Sequence, residues 1–396
     1  MKREQEVRSL LFLRLLPGVG DRRLARALEN HGTARTVLGL PERRLAEVLG
    51  RRGADALQGG QGWTTVDDIL DQCREMGIRI VGRGDERYPA VLLPLADPPA
   101  VLFLRGSLEL LDRPAIAIVG SRRATATGRR TAERLGRELS AAGVTVVSGM
   151  ALGIDGAAHR GALEGRGGTV AVLGSGPDRS YPKANSGLFN EILERGLIVS
   201  EFPPGEPARP FHFPRRNRIL AALSAGVVVV QAARRSGALI TVEHALDLGR
   251  EVFAVPGSVE RRQSEGVNAL LRDGAHVLVR ARELLEVMGW GAGRGEWDPS
   301  PTASASRTSP ATEPSRPTGA SGSVKAGPPG TDEVGCPATS DRFKVCSILE
   351  PTPRPVAALV GELGIPAQRV LAALTRLELD GVACREGGGW TCRDRC

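Results

Sequence analysis

Residues 115–163 read AIAIVGSRRATATGRRTAERLGRELSAAGVTVVSGMALGIDGAAHRGAL: a short apolar run, a helix-length segment, a second apolar run and a second helix. A glycine closely follows each apolar run, Gly120 directly and Gly149 after Ser148. Residues 115–119 are apolar on both faces, and so are 144–147 apart from Thr145. A strand with one wet face would alternate, so such runs belong in a sheet covered by helices on both sides. The same grammar repeats outward. Further apolar runs occur at 169–173, 197–199, 227–230 and 252–255, with helical stretches near 127–142, 155–164, 185–195, 216–224, 241–249 and 266–273. Alternating strands and helices with right-handed crossovers predict an α/β domain, an extended Rossmann-like, doubly wound parallel sheet. Two earlier runs, 79–81 and 101–104, are expected to extend it.

The flanks differ. Residues 1–75 read as short helices. Leu10, Leu11, Leu13, Leu15 and Leu16 precede the turn Pro17-Gly18-Val19-Gly20, and Leu24, Ala25 and Leu28 follow at helical spacing. This fits a small helix-hairpin-helix (SAM-like) domain whose turn holds a phosphate, and it fits equally a tight turn in a helical bundle. The Rossmann-like domain is expected over 76–290. Residues 291–340 are rich in Ser, Thr, Pro, Gly and Ala and predict a disordered linker. Residues 341–396 resume order. Two helical segments, 356–363 and 366–379, precede the wing-like strands 381–383 and 389–391, giving a winged helix. Its second helix sets Arg369 and Arg376 against Glu378 and Asp380, a weak basic face that favours protein contact over DNA.

Composition bounds the function. The chain has 396 residues with 41% hydrophobic and 25% charged, an ordinary globular balance. No apolar run reaches the length of a membrane span. The start, MKREQEVRSLLFLRLLPGVG, lacks a small-residue cleavage site, so a cytoplasmic location is expected. Of six cysteines, five (Cys336, Cys346, Cys384, Cys392 and Cys396) fall near the end without a CxxC pair, so neither a disulfide scaffold nor a zinc site is expected. The net charge is +8, and all but four of the 53 basic residues are arginine. That balance suits a polyanionic partner, although a GC-rich coding bias raises arginine as well. Where the arginines fall separates the two explanations.

In an open α/β sheet, ligands bind beyond the carboxyl ends of the strands. The first such end carries Gly120, Ser121, Arg122 and Arg123: a glycine for close approach, a hydroxyl and two cations. It matches neither GxGxxG nor the P-loop pattern. At the second, Asp155 and His159 share a helix face. With no third ligand or nucleophile beside them, they read better as a cap and a buried hydrogen bond than as a metal or acid–base pair. The third leads to Tyr181, Pro182 and Lys183. After the fourth comes RPFHFPRRNRI, 209–219, with Arg209, Arg215, Arg216 and Arg218, Asn217, two phenylalanines and no acid. Four arginines with no acid among them, beside rings on which bases stack, satisfy the requirements of single-stranded nucleic-acid binding. The last end brings Ser236, Gly237 and Thr241 to a helix N-terminus, another anion-friendly position.

Taken in order, VGSRRATATG, VVSGMALGIDGAAHRGAL, GSGPDRSYP, SEFPPG, FPRRNRILAALS, SGALITVEHAL, FAVPGS and GVNALLRDGA resemble the DNA-processing protein A (DprA/Smf) family, over about 80–285. The resemblance implies a Rossmann core between an N-terminal helical domain and a winged helix. It implies a non-enzymatic protein that needs no cofactor, binds and protects single-stranded DNA, loads the recombinase RecA during natural transformation, and dimerises through the Rossmann-like domain. By the same resemblance Arg122 matches a DNA-contacting position and Phe213 a base-stacking one, and Arg216, Asn217 and Arg218 match the family's Arg-Asn-Arg signature. One departure is Gln231, where the family usually has Glu.

The rival class is an enzyme, a nucleotide phosphoribohydrolase of the lysine-decarboxylase-like group. There a PGGxGTxxE turn would stand where this chain has SGALITVE, 236–243. The second glycine and the Gly-Thr pair are missing.

Overall fold

Ile116 and Ile118 pack to one side of the central sheet, and Ala115, Ala117 and Val119 to the other. Period-2 alternation therefore survives, but both sides are core. The computed structural model describes residues 2–58, 62–290, 345, 348–349, 352–379, 383–386 and 389–392. The chain divides into two compact units, 1–299 and 300–396.

The first unit opens with six helices: α1 (Lys2–Leu15), α2 (Asp21–His31), α3 (Ala34–Leu38), α4 (Glu42–Leu49), α5 (Arg51–Gln58) and α6 (Trp63–Glu75). The strands β1 (Arg79–Gly82) and β2 (Val101–Gly106) follow. Then come β3 (Ala115–Val119), α7 (Ala126–Ala141), β4 (Thr145–Ser148), α8 (Ile154–Leu163), β5 (Thr169–Leu173), α9 (Ser186–Arg195), β6 (Leu197–Ser200) and α10 (His212–Ala222). The unit closes with β7 (Gly226–Val229), α11 (Gly237–Asp247), β8 (Glu251–Ala254), α12 (Glu265–Arg272), β9 (His276–Val277) and α13 (Ala281–Val287). The nine strands lie in the order β1-β2-β6-β5-β4-β3-β7-β8-β9. From β6 to β9 every pair is parallel. The two early strands do extend the sheet, but β2 is antiparallel to both neighbours.

The winding reverses between β3 and β7, whose carboxyl ends therefore splay into a crevice. Helices α7 and α8 cover one face with α13, through Leu135, Leu139, Ile154 and Leu284 packed on Ile116, Ile118 and Val146. Helices α10, α11 and α12 cover the other, through residues 219–223, Val242 and Val267. Each fully buried aliphatic side chain contributes roughly 1.5–3 kcal/mol of transfer free energy. Helices α7 and α8 cross almost backbone to backbone: a Cβ on Gly136 would stand 2.4 Å from the Ala158 carbonyl oxygen.

The N-terminal helices share one core with the sheet edge. Leu10, Phe12, Leu13 and Leu24 pack with Ile78, Val101 and Phe103, and Phe12 stacks on Trp63 at 3.8 Å.

The apolar pattern places two helices from about 216 and 241, but in the structure α10 starts a turn earlier at His212 and α11 at Gly237. Apolar periodicity shows only where a helix meets the core, and these first turns face the crevice instead.

In the second unit α14 (Val356–Leu363) and α15 (Ala367–Leu379) precede an antiparallel hairpin, β10 (Ala383–Glu386) with β11 (Gly389–Cys392). Leu359, Val370, Leu374, Leu377 and Trp390 form its core, giving a winged helix. The expected linker 291–340, wing residues 381–382 and the cysteines 336, 346 and 396 lie outside the described residues. Among the described residues no single helix is long and apolar enough to cross a membrane.

Candidate nucleic-acid interface

The crevice at the β3/β7 switch point holds a cavity of about 660 Å³. Its walls come from five stretches of chain: 119–123, 151–155, Tyr181, 210–220 and 233–241.

The β3–α7 loop supplies Gly120, Ser121, Arg122 and Arg123. A Cβ on Gly120 would stand 2.7 Å from Ile154 and 2.8 Å from the Gln231 carbonyl oxygen, so only glycine fits. The Ser121 amide donates to that same carbonyl at 2.7 Å, and the Ser121 hydroxyl accepts from the Arg123 amide at 3.1 Å. Thr125 caps α7, accepting from the Gly128 amide at 3.0 Å. Gln231 then clamps the loop from across the crevice. Its Oε1 accepts from the Thr125 amide and its Nε2 donates to the Thr125 hydroxyl, both at 3.0 Å. A carboxylate at 231 could accept but not donate. The loop is thus held rigid while Arg122 and Arg123 project from it, exposed.

The β4–α8 turn supplies Ala151 and Asp155. Gly153 takes φ +83°, and a Cβ there would meet the Ser121 carbonyl oxygen at 2.3 Å. Asp155 accepts the Gly149 amide at 3.2 Å. Burial pushes its pKa up, against the pull of the nearby Arg216 guanidinium. His159 lies beneath the crevice rather than in it. Its Nδ1 pairs at 2.7 Å with the Thr169 hydroxyl, which in turn donates to Val146. Nδ1 is therefore the protonated nitrogen, and burial pushes the ring pKa down to about 3. His159 makes the expected buried hydrogen bond, but Asp155 is not the helix cap: it is the second residue of α8, whose N-cap is Gly153 without a side-chain cap bond, and it reaches back to the Gly149 amide of the preceding turn.

Helix α10 supplies Phe213, Arg216 and Asn217. The Phe213 ring lies over Gly174, where a Cβ would stand 3.1 Å from it. Tyr181 flanks it at 5.6 Å and the Arg122 guanidinium at 5.0 Å. Arg216 is buried at the back wall and donates to the Val172 carbonyl. Burial pulls its pKa down to about 10, against the opposing influence of nearby Asp155, so it stays charged at neutral pH. Asn217 donates to the Gly237 carbonyl at 3.3 Å, tying α10 to the start of α11. There Ser236 caps the helix, Gly237 opens it and Thr241 is buried. The first amides of α11 lack intrahelical acceptors and belong to the crevice wall.

Ten of the fourteen anticipated residues meet at this cavity: Gly120, Ser121, Arg122, Arg123, Phe213, Arg216, Asn217, Ser236, Gly237 and Thr241. The other four do not line it. Lys183 is exposed on a short turn. Arg209 is exposed and pairs with Glu206 at 3.2 Å. Arg215 is held by Asp21 and, at 2.8 Å, by Glu201. Arg218 is buried, pairing with Glu201 at 2.7 Å and Asp97 at 3.3 Å. The expectation of four uncompensated arginines in 209–219 is thus overturned for three of them: Glu206 of the β6–α10 loop pairs with Arg209, Asp21 of α2 and Glu201 after β6 with Arg215, and Glu201 and Asp97 of the β1–β2 connection with Arg218, while Arg216 is buried against the Val172 carbonyl. Sequence reasoning passed over Tyr181 as a wall residue, although its place after the third strand end was the available signal.

Residues 79–289 match the family model for DNA recombination-mediator protein A, and 329–389 match the DprA winged helix domain. DNA processing protein DprA of Streptococcus pneumoniae is 44% identical over 201 residues, 51% of this chain and 71% of that protein. The Bacillus subtilis protein of the same name is 40% identical over 219 residues, 55% of this chain and 74% of its own. The X-ray structure of the Streptococcus pneumoniae protein superposes with a TM-score of 0.62 at 36% identity, covering 70% of this chain and 95% of that one.

Proposed function

Since this chain belongs to the DNA recombination-mediator protein A family, we propose that the β3/β7 crevice binds single-stranded DNA and that the protein acts as a mediator, not an enzyme. In this reading it protects incoming strands in the cytoplasm and delivers them to RecA during transformation or recombination, working as a homodimer. One observation carries it. Arg122 and Arg123 are exposed on a clamped loop without acidic partners among the described residues, next to the half-exposed Phe213 and Tyr181. Cations follow a phosphate chain in any sequence, and rings accept any unstacked base, which is the chemistry of sequence-tolerant single-strand binding. A paired duplex offers no free base face to Phe213.

The phosphoribohydrolase alternative draws little from the same walls. Asp155 is the one acid among the described lining residues, and it is buried and bonded to backbone amides.

The test is equilibrium binding of labelled poly-dT against a matched duplex at two salt concentrations. The proposal expects tighter binding to the single strand, falling with salt by counterion release. Equal affinity for both forms, or release of a base from added nucleotides, would overturn it.

A further inference from the structure

A second concave surface lies on the N-terminal helices. It is a groove of about 810 Å³ walled by Gly18, Gly20, Arg22, Arg26, Asn30 and Arg44. Arg22 and Arg26 are exposed on α2 and have no acidic partner among the described residues. Arg52, also exposed, stands against Gly18, where a Cβ would be 3.4 Å from its own. Arg23 is the brace rather than a free cation, donating to the Gly18 and Leu49 carbonyls at 3.0 and 3.1 Å. The acids nearby are engaged. Glu47 pairs with Arg44 at 3.2 Å, Glu29 with Arg83 at 3.7 Å, and Asp21 with Arg14 at 3.5 Å.

The groove adjoins the crevice. Asp21 stands between Gly20 and Arg22, which line the groove, and it is ion-paired to Arg215, which stands between Pro214 and Arg216 of the crevice wall. A single ion pair therefore separates the two concavities. From this we infer that they form one track, and that a single strand leaving the crevice runs over the Asp21–Arg215 pair onto Arg22, Arg26 and Arg52. The inference rests on the single-strand reading of the crevice. The partner it names is the phosphate chain of the same strand, because the groove offers the unpaired cations Arg22 and Arg26 and has no phenylalanine, tyrosine or tryptophan among its described lining residues.

The experiment uses the full chain with two oligo-dT probes, one of about 5 nucleotides and one of about 25. Arg22→Glu/Arg26→Glu and the milder Arg22→Gln/Arg26→Gln change only exposed side chains. The long probe should lose about tenfold or more with the Glu pair and less with the Gln pair, while the short probe keeps its affinity. The slope of log affinity against log salt for the long probe should shrink by about 1.4, for two lost phosphate contacts. Unchanged binding of the long probe, equal loss at both lengths, or a loss confined to duplex DNA would overturn the track. Failure of the unaltered protein to bind the short probe would overturn the crevice reading instead, and the track with it.

Discussion

The β3–α7 loop and the first turns of α10 are both rich in arginine, yet they use it in opposite ways. Arg122 and Arg123 leave a clamped loop and meet no acid among the described residues. Arg215, Arg216 and Arg218 turn inward, where Arg215 pairs with Asp21 and Glu201, Arg218 pairs with Glu201 and Asp97, and Arg216 donates to the Val172 carbonyl. The α10 cations brace the crevice wall, and Arg215 joins it to the N-terminal helices through Asp21, while those of the loop are free to meet a ligand. Charge density along a sequence is therefore a poor measure of charge available at a surface. What counts is whether an acid from elsewhere in the fold arrives first.

The largest effect should come from breaking the inward set. Arg218→Met leaves Glu201 buried with half its compensation gone, and should lower unfolding free energy by on the order of 3 kcal/mol. Urea denaturation measures this, and the single-strand affinity of the folded fraction should be unchanged. A stable variant that binds poorly would reverse the division drawn between the two regions. Phe213→Ala acts on the outward set. Loss of one stacking platform should weaken poly-dT binding by about 1–3 kcal/mol, and circular dichroism should show the helices retained.

A third effect is one of pH and belongs to the inward side alone. The folded-state pKa of His159, about 3, lies below its unfolded value of about 6.5. Between these values the unfolded chain binds the extra proton, so stability is complete above about pH 6.5 and falls as pH drops toward 3, by at most about 1.4 kcal/mol per unit. His159→Gln should flatten that dependence in urea titrations at pH 7.5 and 5.5. A variant that kept the full slope would remove His159 as its source. The smallest effect is Arg123→Ala, which should reduce the salt slope of binding by about 0.7, one phosphate contact.

The sheet was legible in the sequence because its strands are apolar on both faces, a pattern few other structures need. The strand-end loops were legible too, since glycine with hydroxyl or arginine at such an end has a backbone reason to be there. What the sequence did not reveal is pairing across distance. Arg215 meets Asp21 from the opposite end of the unit, and nothing local to FPRRNR announces it. Continuity of the N-terminal helices with β1 and β2 was hidden for the same reason: Leu10 and Phe103 are each ordinary core residues until the fold puts them together. The direction of β2 was also hidden, because an apolar run carries no sign of which way its neighbours point.

The most direct test of the division is a pair of alanine variants at exposed positions, Arg122→Ala and Arg209→Ala, compared for poly-dT affinity at low salt. Neither arginine supports the core, so both proteins should fold alike. Arg122→Ala should weaken binding by about tenfold through loss of a phosphate contact, and Arg209→Ala, already paired with Glu206, by less than about twofold. Equal losses, or a larger loss at Arg209, would contradict the account and place the strand outside the crevice.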